Sequence, residues 1–181
     1  MDLVSVVILA VWVMLPAYLP NNIAVLVGGG PPIDAGREWR GKRILGDGKT
    51  WRGTIGGITA GIVVAMILNA IIGPARTMIG VNFPEFSTGI LLAFPIGALL
   101  GDILASFVKR RTGRTRGSAF PVIDQLDFLV VALLVGLVVD PDWMLSVFSL
   151  QLFVVVLVLT PILHLITNAI AYLLGLKNEP W

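Results

Sequence analysis

The chain has 181 residues, of which 56% are hydrophobic and 13% are charged, and its formal net charge is +2. Soluble domains average about 25% charged residues. The composition therefore excludes an ordinary soluble domain and favours a protein whose apolar surface faces lipid. The chain has no cysteine, which excludes disulfide bonds and thiol chemistry.

Apolar stretches predict an all-α integral membrane protein with about five transmembrane helices. The expected spans cover residues 3–27, 54–72, 87–108, 122–139 and 143–176. Pro16 and Pro20 predict a kink or a break in the first span, because proline removes a helix hydrogen bond. Pro161 is a candidate for splitting the fifth span, which is longer than a bilayer requires. We expect one membrane-embedded domain over residues 1–181.

Glycines recur every four residues in two of the predicted spans. Gly53, Gly57 and Gly61 open the second span, and Gly97 and Gly101 lie in the third. Small residues at this spacing let two helices approach closely. The sequence leaves open whether the first stripe serves a contact within the chain or a homodimer.

Eleven of the thirteen Lys and Arg residues lie in two short islands between the apolar stretches. The first island holds Arg37, Arg40, Lys42, Arg43, Lys49 and Arg52, and the second holds Lys109, Arg110, Arg111, Arg114 and Arg116. The positive-inside rule predicts that both are cytoplasmic loops, with the N-terminus outside and the C-terminus inside. The islands also gather cations that can bind phosphate. Because they are short and held at the membrane, a small phosphorylated substrate fits them better than nucleic acid.

Three aspartates at the third and fourth spans give the sharpest chemical signal. Asp102 shares one helix face with Ser106 and Lys109, and Asp124 shares another with Asp127. A carboxylate in a membrane needs a cavity, a cation or a metal ion. Oxygen ligands of this kind suit Mg²⁺, so the pattern predicts a magnesium site. The alternative is a buried ion pair with an arginine that only fixes helix packing.

The segment Gly46-Asp47-Gly48-Lys49-Thr50 of the first island contains Gly-Lys-Thr, as a P-loop does. The glycine that a P-loop needs five residues before Lys49 is absent, because Ile44 stands there. What remains is a Lys-Thr pair that leads into a helix N-terminus, where free N–H groups attract anions. The alternatives are a flexible cytoplasmic turn here and, for the second island, basic residues that only set topology and meet anionic lipid.

Taken in chain order, these residues resemble a known enzyme signature. Its parts are Lys49-Thr50-Trp51-x-Gly53-x-x-Gly56-Gly57, then Gly101-Asp102, then Ser106-x-x-Lys109-Arg110, then Pro121-x-x-Asp124-x-x-Asp127. The pattern resembles that of the CDP-diglyceride synthetase (phosphatidate cytidylyltransferase) family. Arg52 replaces a family glutamate, and Val122-Ile123 stands where bacterial members carry Gly-Gly. With the short chain, these departures resemble the archaeal branch, the CDP-archaeol synthases.

The resemblance implies an enzyme of the cell membrane whose active site faces the cytoplasm. Such an enzyme transfers a cytidylyl group from CTP to an unsaturated isoprenoid ether lipid phosphate, with Mg²⁺. The three aspartates would hold the metal, Lys49, Lys109 and Arg110 would bind phosphate, and Ser106 and Thr50 would orient phosphate oxygens or metal-bound water. Further candidates for substrate binding are Arg52, Gly53, Arg114, Arg116, Asn21 and Asp34.

A small transporter or channel for an anionic solute is the alternative class. The intramembrane charge and the interrupted first span favour it, whereas no repeat between the two halves supports it. Other lipid enzymes fit less well. The chain lacks the Asp-Gly-x-x-Ala-Arg motif of CDP-alcohol phosphotransferases, and it has one histidine, His164, where a lipid phosphatase would need catalytic histidines.

Overall fold

The computed structural model describes residues 1–114 and 123–175. In that part of the chain, six helices and one small hairpin follow each other. They are α1 (Leu3–Leu26), β1 (Glu38–Trp39), β2 (Lys42–Arg43), α2 (Trp51–Ile79), α3 (Thr88–Arg111), α4 (Ile123–Val139), α5 (Pro141–Val147) and α6 (Leu150–Leu173).

Helices α1, α2, α3 and α6 are long and apolar enough to cross a membrane. Helix α4 has 17 residues, which gives about 25 Å at 1.5 Å per residue. The prediction of a helical, multi-pass membrane protein is confirmed. The side of the membrane on which each end lies stays a prediction.

Short polar side chains mark where these helices begin. Thr50 caps α2, Ser87 caps α3, Asp140 caps α5 and Ser149 caps α6, and each accepts a hydrogen bond from a backbone N–H three residues on. Such caps satisfy amides that have no partner within the helix. The cap at Ser149 also corrects the predicted fifth span. That span begins at Leu150 rather than near residue 143, because α5 forms a separate short helix ahead of it.

The prolines do not interrupt their helices. Helix α1 continues through Pro16 and Pro20, and α6 continues through Pro161. A break in α1 and the predicted split in α6 are therefore wrong, whereas a kink in α1 stays a prediction. Proline at position 20 removes the donor that would pair with the Pro16 carbonyl. That carbonyl instead faces α2, where a methyl group on Gly61 would lie 2.7 Å from its oxygen. Packing by a neighbouring helix therefore shields the freed carbonyl.

Glycines set the spacing of two helix pairs. A methyl group on Gly57 would lie 2.5 Å from the Pro20 oxygen of α1. One on Gly97 would lie 2.6 Å from Ala132 Cα, and one on Gly101 would lie 2.7 Å from Phe128 Cα, both in α4. The first stripe thus serves a contact within the chain, and the second brings α3 against the start of α4.

The end of the bundle away from the basic islands is closed by hydrogen bonds. The Asn69 amide donates to the Phe86 carbonyl and accepts from the Phe86 N–H, both at 2.8 Å. The Ser87 hydroxyl donates to Asp140 at 2.5 Å, and the Trp143 indole donates to the Glu85 carbonyl at 2.6 Å. These contacts tie the α2–α3 loop to α5, at the end of the bundle opposite the basic islands.

Gly101→Ala should destabilise the protein by about 1–3 kcal/mol, because the added methyl group meets the backbone of α4. Gly73→Ala is the matched control, because a methyl group there would meet no heavy atom within 4 Å and alanine favours the helix. Thermal unfolding of the purified protein in detergent measures both. Equal melting temperatures for Gly101→Ala and the wild type would contradict the close α3–α4 contact.

Candidate active site

Two ion pairs join three separate segments at the end of the bundle where α1 and α3 end and α2 and α4 begin. Lys49 Nζ in the α1–α2 loop lies 2.5 Å from Asp102 Oδ2 in α3. Lys109 Nζ in α3 lies 2.5 Å from Asp124 Oδ1 in α4. All four side chains are 20–29% exposed, so they are partly screened from water. The pairs fasten both the loop and α4 to α3.

Asp127 completes a cluster of three carboxylates. The backbone at Asp127 and Phe128 packs directly on Gly101, which is the residue before Asp102. The Asp127 carboxylate therefore lies within electrostatic range of Asp102, Asp124 and Lys49. Three carboxyl groups and two lysine ammonium groups thus lie close together at this end of the bundle.

The donor chemistry of this cluster suits Mg²⁺, which takes oxygen ligands. Among residues 1–114 and 123–175, however, no three such side chains converge as a metal site. The ammonium groups of Lys49 and Lys109 occupy two of the carboxylates instead. The magnesium site therefore stays a prediction, with residues that fit it chemically.

Thr50 and Gly53 shape the start of α2. The Thr50 side chain caps the helix by accepting from the Gly53 N–H at 3.1 Å, and the residue is buried. A methyl group on Gly53 would lie 2.8 Å from the Ala24 carbonyl oxygen, so glycine is needed here for the approach of α1. Both residues form the helix N-terminus that leads on from Lys49, which is a favourable seat for an anion.

Arg52 binds the end of α1. Its Nε donates to the Val27 carbonyl at 2.7 Å, and its Nη2 donates to the Gly28 carbonyl. A cation at a helix C-terminus satisfies carbonyls that lack helical partners and interacts well with the helix dipole. This contact gives a structural reason for arginine at the position where the related family has glutamate. A direct contact of Arg52 with substrate stays a prediction.

Asp34 organises the α1–α2 loop from a buried position. Its carboxylate accepts from Arg43 Nη2 at 2.8 Å and from the N–H groups of Leu45 and Gly46, both at 3.0 Å. Arg43 also pairs with Asp47 at 2.6 Å. The Arg43 guanidinium, helped by the backbone donors, holds the pKa of Asp34 well below its usual value. The observed contacts give Asp34 a positioning role, and its contact with substrate stays a prediction.

Two other predicted site residues carry polar atoms that face no partner among the described residues. Asn21 Oδ1 in α1 and Arg110 Nε in α3 are buried without a hydrogen-bond partner. Buried polar atoms of this kind are costly unless a ligand or water satisfies them.

The remaining predicted site residues lie at or beyond the end of α3. Ser106 is partly buried on α3, and Arg114 follows that helix. Arg116 and Pro121 lie outside the described residues.

The sequence patterns did not indicate the β1–β2 hairpin. Its strands pair Glu38 with Arg43 and Trp39 with Lys42. The two turn residues, Arg40 and Gly41, have φ angles of 55° and 71°, as a type I′ turn requires. The signal that could have revealed the hairpin was a glycine in the second turn position between short polar strands. Arg111 at the end of α3 contacts this hairpin.

The fold and the site define a class, a helical integral membrane protein with a cluster of carboxylates and paired lysines at one end of its helices. The chain matches the family described as CarS-like: CDP-archaeol synthase over residues 3–181. A CDP-archaeol synthase of Halorubrum lacusprofundi is 61% identical over 177 residues, which are 98% of each chain. One of Archaeoglobus fulgidus is 46% identical and covers 99% of this chain and 100% of its own.

A solved structure has the same architecture. It is described as an intramembrane enzyme for archaeal membrane lipid biosynthesis, with a TM-score of 0.67 and 33% identity. The match covers 88% of this chain and 92% of that one. The chain belongs to the CDP-archaeol synthase family, as its motifs predicted.

Asp34→Asn should lower the stability of the protein at pH 7 by about 1–3 kcal/mol, because a buried acceptor of charged and backbone donors is lost. A lowered pKa stabilises the fold fully above the ordinary aspartate pKa of about 3.9, and this contribution is lost progressively as the pH falls from there towards the lowered pKa of the folded state. The difference in melting temperature between wild type and variant should therefore shrink under acid conditions.

Asp47→Asn is the matched control, because the Asp47 side chain is 66% exposed and exposed pairs contribute about 0–1 kcal/mol. Melting temperatures of the wild type and both variants at pH 7 and at about pH 3 measure how much Asp34 stabilises the fold. Equal values for Asp34→Asn and the wild type at pH 7 would contradict the organising role of Asp34.

Proposed function

We propose that this chain transfers the cytidylyl group of CTP to the phosphate of di-geranylgeranyl glycerol phosphate, an unsaturated archaeal ether lipid. The products are a CDP-activated lipid and pyrophosphate. One observation carries the proposal, which is the cluster of Asp102, Asp124 and Asp127 with paired lysines at the end of membrane helices. The cluster lies within the motifs of the family to which the chain belongs.

The reaction is a single in-line displacement. An oxygen of the lipid phosphate forms a bond to the α-phosphorus of CTP. The bond from that phosphorus to the bridging oxygen of the β-phosphate breaks, and pyrophosphate leaves with the electron pair. No covalent enzyme intermediate is needed, so the chain contributes positioning and the stabilisation of negative charge.

The cations of the site are suited to the phosphates of both substrates. Lys49 and Lys109 already lie beside carboxylates, and the buried Nε of Arg110 has no hydrogen-bond partner among the residues that the structure describes. Phosphate oxygens would take the place of carboxylate oxygens on the two lysines and would satisfy the guanidinium of Arg110. The lysines would thus change partners as CTP binds, while Thr50 keeps the start of α2 in place below them.

Asp102, Asp124 and Asp127 would hold Mg²⁺ once the lysines turn to phosphate. When bound, the ion supplies positive charge beside the phosphoryl oxygens. The chemistry of the donors supports this assignment, since all are carboxylates and hard cations prefer oxygen. The dependence on Mg²⁺ is tested by chelation with EDTA, which should abolish turnover until Mg²⁺ is restored.

The lipid enters from the bilayer and not from water. Its chains remain among the apolar helix faces, so its phosphate reaches the cluster at the membrane surface. Both basic islands flank this end of the bundle, which supports a cytoplasmic site because Lys and Arg loops face the cytoplasm. CTP would then be drawn from the cytoplasm.

Asp102→Asn, Asp124→Asn and Asp127→Asn should each lower kcat by at least about 10²-fold, because charge stabilisation at the phosphoryl group is lost. Asp142→Asn is the matched control, since Asp142 is exposed in α5 at the opposite end of the bundle. Pyrophosphate release by purified protein with CTP, Mg²⁺ and the lipid measures the effect.

Gel filtration in detergent should show that all four variants remain folded. Full activity in one of the three site variants would remove that aspartate from the proposed site. A wild-type protein that is folded but releases no pyrophosphate with several phospholipid acceptors would contradict the proposed function.

A further inference from the structure

We infer that Arg111 is a positioning residue that holds the α1–α2 loop over the site by clamping the β1–β2 hairpin. In the sequence, Arg111 is one of three consecutive basic residues that look alike. The structure separates them, since Lys109 pairs with Asp124 whereas Arg111 donates hydrogen bonds to the hairpin. The inference goes beyond the proposed function and rests on it only for its kinetic readout.

The guanidinium of Arg111 binds the backbone of the hairpin. Its Nη1 donates to the Trp39 carbonyl at 2.5 Å, and its Nη2 donates to the carbonyls of Lys42 and Arg43 at 3.0 and 2.7 Å. Three carbonyls from both strands thus converge on one planar fork. These bonds use both terminal nitrogens of Arg111, and its third nitrogen, Nε, is buried, so the guanidinium faces the hairpin.

Two aromatic rings flank the same guanidinium. Its central carbon lies 5.1 Å from the centre of the Trp39 ring and 5.5 Å from the centre of the Phe107 ring. The two rings are nearly parallel, at 18° and 5.9 Å between centres. Trp39 belongs to the hairpin and Phe107 to α3, so the cation and the rings join the two elements through stacking as well as hydrogen bonds.

The hairpin is connected to the site by a continuous series of contacts. Arg43 in β2 binds Asp34, and Asp34 binds the backbone N–H groups of Leu45 and Gly46. The Gly46 carbonyl accepts from the N–H of Lys49 at 3.3 Å. Lys49 in turn pairs with Asp102. A hairpin that leaves α3 would therefore loosen the segment that aims Lys49.

Helix α3 holds the loop at two points, Asp102 and Arg111. They lie nine positions apart in the sequence, which corresponds to about 13 Å along the helix. Two attachment points fix both the position and the direction of the intervening loop, whereas one would let it swing about Lys49. The clamp thus gives the loop a defined placement before CTP binds, which reduces the entropy lost on binding.

Arg111→Lys tests the clamp because it keeps the charge and removes the planar fork. We expect kcat/KM to fall about tenfold, mainly through a higher KM for CTP, since hydrogen bonds from a charged donor are lost. We also expect trypsin to cut after Arg40 and Lys42 about tenfold faster, because the hairpin is released. Arg37→Gln is the matched control, since it removes one exposed charge from the same island, and it should change neither quantity.

A second variant keeps the test decisive if Arg111→Lys folds poorly by gel filtration. Trp39→Leu retains the carbonyl contacts and loses the ring surface, so it should raise the rate of tryptic cleavage by a smaller factor. Combined with Asp34→Asn, Arg111→Lys should add little further loss of activity, because both lie on one series of contacts.

Three results would overturn the inference. They are wild-type kcat and KM in Arg111→Lys, an unchanged rate of hairpin cleavage in that variant, and fully multiplicative losses in the double variant. Wild-type kcat and KM in Arg111→Lys would mean that only the positive charge at this position matters and that the planar fork does not. If the wild type shows no cytidylyl transfer, the proposed function fails while the cleavage rates still decide whether the clamp exists.

Discussion

The placement of charge within an apolar bundle depends on the ion pairs Lys49–Asp102 and Lys109–Asp124. An isolated carboxylate at this depth would be costly, whereas a carboxylate with an ammonium partner at 2.5 Å is stabilised by a charge-assisted hydrogen bond. Because each pair joins two segments, neutralising the charge also fixes the α1–α2 loop and α4 against α3. Asp127 adds a third carboxyl group to the cluster, within electrostatic range of Asp102, Asp124 and Lys49.

Helix packing sets the distances on which this chemistry relies. Gly97 and Gly101 allow the backbones of α3 and α4 to touch. This contact brings Asp102, next to Gly101, close to Asp127. At the other pair of helices, Gly57 and Gly61 allow α2 to cover α1 beside its prolines. Small residues at helix contacts are usual in membranes, where packing rather than the hydrophobic effect drives association. Here they also determine where charged side chains meet.

Much of this arrangement could be predicted from local sequence. Long apolar stretches fix the helices, and Asp102, Asp124 and Asp127 stand out because charge is rare there. The partners of these aspartates could not be predicted, since Lys49 and Asp102 are 53 residues apart and no local pattern relates them. The continuous α1 was missed because a proline rule describes an isolated helix, whereas α2 shields the freed carbonyl. The hairpin and the role of Arg111 were missed because a strand of two residues has no measurable periodicity and neighbouring cations look equivalent.

In the proposed reaction, this cluster joins the α-phosphoryl group of CTP to a lipid phosphate. The most direct test supplies the purified protein with CTP labelled with ³²P at either the α- or the γ-position, together with Mg²⁺ and di-geranylgeranyl glycerol phosphate. The lipid fraction is then extracted and counted. We expect label in the lipid from α-labelled CTP alone. Label from γ-labelled CTP would indicate phosphoryl transfer, and absence of label from both would mean that the chain does not activate this lipid. Either result would contradict the proposed cytidylyl transfer.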